Sequence, residues 1–254
     1  MPEPALAGAA GAGGVAAIAL VAFLGGTLPL IVRWSDRRLH AALALSTGIF
    51  LGAVFLHVLP DLPSAAAGGL SAPALWAFVL VGVLAVYFAE TLFLHAHHDH
   101  ELPDQHHRAV GWAALFGLSI HSLTAGVGLA FAARSPSLGG PMFVAILSHK
   151  GFEAVSLASV FQLGKFPRRA ILLLMALFAL MTPIGFAAGD LLSSWLEGAG
   201  LAIAVALAAG SFLYVCLCEL LPEVFHDRED GVLKITLLLA GIGVMAWFSG
   251  GTHG

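Results

Sequence analysis

Charge is the scarcest property of this chain. Asp, Glu, Lys and Arg make up 10% of its 254 residues and hydrophobic residues 59%, whereas soluble domains carry about a quarter charged residues. The mean hydropathy is +0.94. These values exclude an ordinary soluble domain and indicate an integral membrane protein. The net charge of −4 says little about partners, because the charges are confined to loops, whereas the lack of a basic patch or stripe argues against nucleic-acid binding.

Cysteine is nearly absent. Cys216 and Cys218 are two positions apart in an apolar stretch, so on a helix they point roughly 200° apart and cannot pair with each other. We interpret them as small apolar residues of a packed helix. The first twelve residues lack the basic segment of a secretion signal, so we expect the first apolar run to be a retained span.

Apolar runs of about 20 residues dominate the rest of the chain, and this is the helix length needed to cross a bilayer core about 30 Å thick. The sequence predicts an all-α integral membrane protein with one transmembrane domain and eight transmembrane helices. The predicted spans are 14–32, 41–60, 73–94, 110–132, 141–163, 169–190, 199–221 and 232–249, with a His-rich cytoplasmic loop at 95–108.

The positions of Lys and Arg predict the orientation of these spans. Loops after odd-numbered spans hold nine of these residues, and the alternate loops hold only Arg134. Since basic residues concentrate on the cytoplasmic side, we expect both termini to be extracytoplasmic. The nine are Arg33, Arg37, Arg38, Arg108, Lys165, Arg168, Arg169, Arg228 and Lys234.

Polar residues interrupt spans four and five at similar depth. His121 lies mid-span, and His149 and Glu153, spaced i and i+4, share one face of the next span. A charged group at the bilayer centre costs about 2.5–3.5 kcal/mol, so such residues are retained where they bind or react. Two histidines and a glutamate suit zinc and other first-row divalent ions. We predict that these three residues bind a metal.

Several interpretations of the neighbouring residues stay open. A fourth ligand could be Ser122, Thr124 or water. Lys150 cannot bind a metal while it is protonated, and it could balance Glu153 or occupy the place of a second cation. The same residues could instead be hydrogen-bonded core histidines beside an internal ion pair.

Spans four and five also carry two short motifs. Residues 121–126 read His-Ser-Leu-Thr-Ala-Gly, and residues 149–153 read His-Lys-Gly-Phe-Glu. With eight spans and outward termini, they resemble the ZIP (Zrt/Irt-like protein) family of divalent metal transporters. That family carries His-[Ser/Asn]-x-x-[Glu/Asp]-Gly in span four and His-x-x-x-Glu in span five. Further similar segments are 56–61, Glu90, 181–185, 209–214, 219–223 and 233–235.

The resemblance implies a fold and a function. It implies a 3+2+3 arrangement, in which spans one, four, five and six carry the site against the other four. It implies transport of zinc, and also of iron or cadmium, into the cytoplasm, with no enzyme activity and no cofactor. It suggests a homodimer with an elevator-like or rocking motion. The Ala- and Gly-rich composition with short loops suggests a bacterium, and hence the cytoplasmic (inner) membrane.

Two positions depart from the commoner family pattern. Ala125 replaces the span-four carboxylate, and Lys150 stands where members with two metals place a carboxylate. Span six has no carboxylate before Asp190. We therefore expect one metal per site, bound less tightly than by two carboxylates. Ala125, Lys150 and Thr182 are expected to tune the site.

Polar residues outside the span centres form a third set of candidates. The loop histidines could capture metal leaving the pore, sense cytosolic metal, or simply be solvated; they are His95, His97, His98, His100, His106 and His107. Residues at span ends could form an entrance or exit for a dication, or be solvated boundary groups; they are His57 and Asp61 at the outer end, and Glu90, Glu219 and Glu223 at inner ends.

Two rival function classes would use the same residues. A metal sensor or scaffold would bind the ion without moving it. An intramembrane metal-dependent hydrolase would also need a general base. The His-Glu-x-x-His signature is absent, so Glu153 would have to be both ligand and base. Transport is therefore the preferred prediction.

Overall fold

The computed structural model describes residues 11–31, 34–65, 70–94, 103–134, 139–192, 199–226 and 229–250. Within these ranges all regular secondary structure is helical and forms eight consecutive segments, α1–α8. Their bounds are α1 Ala12–Ile31, α2 Asp36–Ala53 continued by Val54–Val58 and Leu59–Ala65, α3 Ala72–Leu94, α4 Pro103–Ala132, α5 Gly139–Leu163, α6 Arg168–Leu192, α7 Gly200–Tyr214 continued by Val215–Leu220 and Leu221–Val224, and α8 Gly231–Gly250.

The helices have the length and surface of membrane spans. Seven are long and apolar enough to cross a bilayer, and α8 has a shorter apolar stretch, Gly231–Trp247. Large apolar side chains point outward, including Trp247 and Leu92, which are 83% and 76% exposed. Contact with lipid removes such surface from water. The prediction of an all-α, multi-pass membrane protein is confirmed.

Helix α4 begins earlier than its predicted span. It begins at Pro103, within the segment that the sequence predicted as a polar loop over 95–108. Proline favours the first turn of a helix, because its fixed φ suits the helix and its missing N–H is not needed there. His106 and His107 therefore lie on a helix, which corrects their assignment to a loop. Hydropathy alone could not show this extension, because the first turns are polar.

Two π-helical turns interrupt α2 and α7, at Val54–Val58 and Val215–Leu220. Each precedes a proline, Pro60 in α2 and Pro222 in α7. A proline has no N–H for the carbonyl four residues earlier and crowds that carbonyl sterically, so the helix must adjust locally. The predicted end-of-span residues His57 and Glu219 lie in these two turns.

Glycines let several helices approach to backbone contact. A Cβ at Gly126 would collide with the carbonyl oxygen of Thr182, and one at Gly185 with that of Leu123, so α4 and α6 are in close contact. The same close approach of glycine to a carbonyl joins α2 to α8, α3 to α7 and α1 to α5; these glycines are Gly48, Gly241, Gly82, Gly210 and Gly25. Small residues commonly allow such packing in membranes.

The packing divides the helices into two sets. Helices α1, α4, α5 and α6 pack on one another, and we call them the site bundle. The flanking bundle comprises α2 packed against α8, α3 packed against α7, and contacts between α2 and α7. The two bundles meet where α4 contacts α7 and where α5 contacts α2. One large apolar core spans this junction and includes Phe50, Phe161, Phe178 and Phe212.

Candidate metal site

The structure brings His121, His149 and Glu153 together inside the site bundle. One ligand atom from each lies within 4.8 Å of the others. Glu153 Oε1 is 3.3 Å from His121 Nε2 and 3.4 Å from His149 Nε2. All three side chains are buried. The i, i+4 spacing on α5 and the antiparallel neighbour α4 explain the convergence; that the three residues bind a metal stays a prediction.

Helix α7 orients the two imidazoles. His121 Nδ1 donates a hydrogen bond to the carbonyl oxygen of Ala208, 3.0 Å away. This bond leaves the lone pair of Nε2 directed at Glu153, which is the form that a metal ligand needs. The His121 ring also stacks on Phe212 at a centroid distance of 4.2 Å, and the His149 ring lies 5.3 Å from the same phenyl ring.

Lys150 occupies the opposite side of the carboxylate. Its Nζ lies 2.7 Å from Glu153 Oε2 and donates a second hydrogen bond to Ser122 Oγ. The ammonium also lies 4.3 Å from the centroid of the Phe178 ring, a favourable cation–π contact. The two carboxylate oxygens of Glu153 thus have different neighbours: Oε2 binds the lysine, whereas Oε1 faces the two histidines.

Two atoms of the cluster are buried without a hydrogen bond, His149 Nε2 and Glu153 Oε1. A buried polar atom without a partner costs about 1–3 kcal/mol, and more where the group is charged. Both atoms point to the same small region between α4 and α5. A divalent ion there would give both of them a partner.

The remaining predicted neighbours have other contacts. Ser122 Oγ accepts from Lys150 and is not one of the three converging atoms. The hydroxyl of Thr124 donates to the backbone carbonyls of Ile120 and His121. Ala125 packs in an apolar cluster. Thr182 is fully buried in α6, and its hydroxyl has no hydrogen-bond partner.

The structure describes some of the predicted loop and end-of-span side chains but not others. His95, His97, His98 and His100 lie outside the described residues, as do the side chains of His106, His57 and Asp61. Glu219 is buried with both carboxylate oxygens lacking a hydrogen bond. Glu90 Oε2 accepts a hydrogen bond from the hydroxyl of Tyr214, which joins α3 to α7.

A second convergence of ligand atoms was not predicted as a group. His40, His107 and Glu223 each place one ligand atom within 4.8 Å of the others. His107 and Glu223 were separate candidates, and His40 was missed. Its only sequence signal was a histidine close to the predicted start of span two, and nothing in the spacing linked it to residues so distant in the chain.

Comparison with known proteins identifies relatives along most of the chain. A family model described as "ZIP Zinc transporter" matches residues 9–108 and 93–249. Zinc transporter 3 of Arabidopsis thaliana is 26% identical over 246 residues, which is 80% of this chain and 71% of the relative. Zinc transporter 8 of Oryza sativa subsp. japonica is 32% identical over 152 residues, 55% of this chain and 39% of the relative. Zinc transporter ZIP1 of Homo sapiens is 34% identical over 137 residues, 52% of this chain and 41% of the relative. The matched part thus spans less than half of the rice and human proteins.

Proposed function

The chain belongs to the ZIP family of zinc transporters, and from this premise we propose that it carries zinc across a membrane through the cluster of His121, His149 and Glu153. Family membership supports divalent metal as the cargo. The relatives named as zinc transporters support zinc in particular. The ligand set of two imidazoles and one carboxylate also suits Fe²⁺, and we extend the proposal to iron and cadmium as secondary cargo.

The spacing of three buried ligand atoms is the observation that carries this proposal. Ligands on a tetrahedral zinc ion, with bonds of about 2.0–2.1 Å, lie roughly 3.3 Å apart. The distances from Glu153 Oε1 to His121 Nε2 and His149 Nε2 are 3.3 and 3.4 Å. An ion could therefore enter with little movement of these side chains. Water would be the natural fourth ligand, and an exchangeable ligand suits cargo that must leave.

The neighbouring residues favour one ion per site. The ammonium of Lys150 already neutralises Glu153 Oε2, so a second dication there would face a fixed positive charge. Ala125, which lies among apolar side chains, adds no anionic ligand. One carboxylate with two histidines should hold the metal less tightly than two carboxylates would, which helps release.

Direction and location form the finer part of the proposal. Nine of the ten Lys and Arg residues outside span centres lie after odd-numbered spans, which supports cytoplasmic ends there and outward termini. We propose uptake into the cytoplasm across the inner membrane of a bacterium. The homodimer and the 3+2+3 arrangement stay predictions from the family resemblance.

Zinc flux into liposomes tests the proposal. Purified protein is reconstituted, and uptake is followed with a zinc-sensitive dye inside the vesicles. We expect His149→Ala and Glu153→Gln each to lower the initial rate at least tenfold, because each removes one of three ligands. Glu229→Gln is the matched control, since it removes an exposed carboxylate outside the cluster and should keep the native rate.

The outcomes separate the candidate functions. Native rates in both cluster variants would overturn the assignment of the site. Tight zinc binding with no flux in the native chain would favour a sensor. Zinc-dependent cleavage of a peptide or lipid added to the vesicles would favour a hydrolase. Each variant must elute as a monodisperse peak, so that a misfolded chain is not counted as an inactive one.

A further inference from the structure

We propose that His40, His107 and Glu223 form a second binding site for a divalent transition-metal ion. The site lies at the end of the bundle where α2 and α4 begin and α7 ends. His40 comes from the first turns of α2, His107 from the first turns of α4, and Glu223 from the last turn of α7. Three helices that are far apart in sequence thus each supply one ligand.

The three side chains converge, and one hydrogen bond joins two of them. One ligand atom of each lies within 4.8 Å of the others. His107 Nδ1 and Glu223 Oε1 are 2.5 Å apart. The His40 and His107 rings have centroids 6.0 Å apart. His40 and Glu223 are buried, at 6% and 1% exposure, so neither is an ordinary solvated boundary residue.

The ring of His40 has a nitrogen that is available to bind an ion. Its Nδ1 donates a hydrogen bond to the carbonyl oxygen of Asp36, 2.9 Å away, which leaves the lone pair on Nε2. That Nε2 atom is buried and has no hydrogen-bond partner. An ion pair between His107 and Glu223 would by itself leave this atom unsatisfied. A metal ion shared by all three residues would satisfy it.

Binding requires only a small local opening. Ligands on tetrahedral zinc lie roughly 3.3 Å apart, so His107 and Glu223 must separate by somewhat less than an ångström for an ion to replace their hydrogen bond. The fourth position would be taken by water or by His226, whose ring centroid is 5.5 Å from that of His107. Two imidazoles and one carboxylate select the same borderline ions as the first cluster.

The second site is separate from the proposed transport site. His107 and His121 both lie on α4, and at about 1.5 Å per helical residue they are roughly 20 Å apart along its axis. The two sites share no ligand. An ion at His107 could therefore coexist with one at His121, because roughly 20 Å of separation weakens their repulsion.

The second site also joins the two bundles. His107 belongs to the site bundle, whereas His40 and Glu223 belong to the flanking bundle. An ion bound by all three stabilises the arrangement in which these helix ends stay together, because it binds this arrangement more tightly than one in which they are apart. If the orientation under the proposed function holds, this end is cytoplasmic. Zinc that accumulates in the cytoplasm would then bind here and slow further uptake.

Equilibrium dialysis of the full-length protein in detergent against Zn²⁺ tests the site. The other histidines of the predicted loop could bind zinc, so the background carries Gln at His95, His97, His98, His100 and His106. We expect this background to hold two ions per chain. His149→Gln should leave one ion, at the second site. His40→Gln and, independently, Glu223→Gln should leave one ion, at the first.

Control variants and combinations decide between the outcomes. Glu229→Gln should still hold two ions, and the combination of His149→Gln with His40→Gln should hold none. A His149→Gln protein that holds no ion, or a His40→Gln and a Glu223→Gln protein that both hold two, would overturn the second site. One ion in His149→Gln but none in His40→Gln would instead contradict the proposed transport site. Monodisperse elution and an unchanged helical circular dichroism spectrum establish folding.

Discussion

Neutralising Lys150 should tighten zinc binding at the His121–His149–Glu153 cluster. Lys150 Nζ lies 2.7 Å from Glu153 Oε2, and an ion bound to Oε1 would lie across the carboxylate, roughly 6 Å from Nζ. At an effective dielectric constant of about 20, Coulomb's law gives a repulsion of about 5 kcal/mol between a single and a double charge at that distance. Side-chain relaxation and water offset much of this value. We therefore expect at least a tenfold tightening, about 1.4 kcal/mol.

The assay is a competition titration with a fluorescent zinc chelator. Lys150→Gln removes the charge and keeps an N–H donor for Glu153, whereas Lys150→Arg keeps the charge. The Lys150→Gln variant should bind zinc at least tenfold more tightly than the native chain, and the zinc affinity of the Lys150→Arg variant should stay near the native value. The metal-free Gln variant should also be less stable by about 3–5 kcal/mol, because Glu153 loses its buried partner, and added zinc should restore the melting temperature.

One result would refute this reasoning directly. If Lys150→Gln binds zinc no more tightly than native protein while remaining folded, the ammonium does not oppose the ion. The role of Lys150 would then be confined to holding Glu153 in place. Weaker binding in both Gln and Arg variants would point to the same conclusion, because both alter the geometry of the Glu153 contact.

Four further expectations follow from particular contacts. Gly185→Ala should lower stability by about 1–3 kcal/mol, because the added Cβ would collide with the backbone of α4. Gly243→Ala is the control: a Cβ there meets open space, so the change should be neutral or stabilising. Equal melting temperatures of the two variants would contradict this. Phe212→Leu should weaken zinc binding about threefold to tenfold in the chelator titration, since stacking contacts are worth about 0.5–1.5 kcal/mol; unchanged affinity would show that ring contacts do not orient the ligands. Zinc affinity should fall as the pH is lowered, because protons compete for the imidazoles and the carboxylate; a pH-independent affinity between pH 8 and 5 would argue against these ligands. Zinc loaded inside liposomes should slow uptake in the native chain and less so in His40→Gln; equal slowing in both would contradict a regulatory role for the second site.

The parts of the fold and site that sequence could predict are those with a local cause. Apolar runs of span length predict helices regardless of their neighbours, and the structure has a helix at each predicted span. The i, i+4 spacing of His149 and Glu153 places both on one helical face before any packing is known. Their meeting with His121 required only that α4 and α5 be antiparallel neighbours at matched depth.

The parts that sequence could not predict depend on contacts between distant helices. Nothing in the spacing indicated that Phe212 and the carbonyl of Ala208 on α7 would orient His121. The contacts of one Glu153 oxygen with a lysine and of the other with two histidines likewise depend on the packing of the bundle. His40 was missed because its two neighbours come from α4 and α7, and because hydropathy placed His107 in a loop.

The distribution of contacts indicates which of them would change if the two bundles moved against each other in the proposed transport. The glycine-to-carbonyl contacts lie within the site bundle or within the flanking bundle, so a displacement of one bundle against the other would leave them intact. The contacts of His121 with Ala208 and Phe212, and the hydrogen bond between Ser46 and Ser156, cross the junction instead. A displacement must break these, and it must also separate His107 from His40 and Glu223. In the proposed site, His121 contacts the flanking bundle directly, so a displacement of the bundles would also change the strength of metal binding.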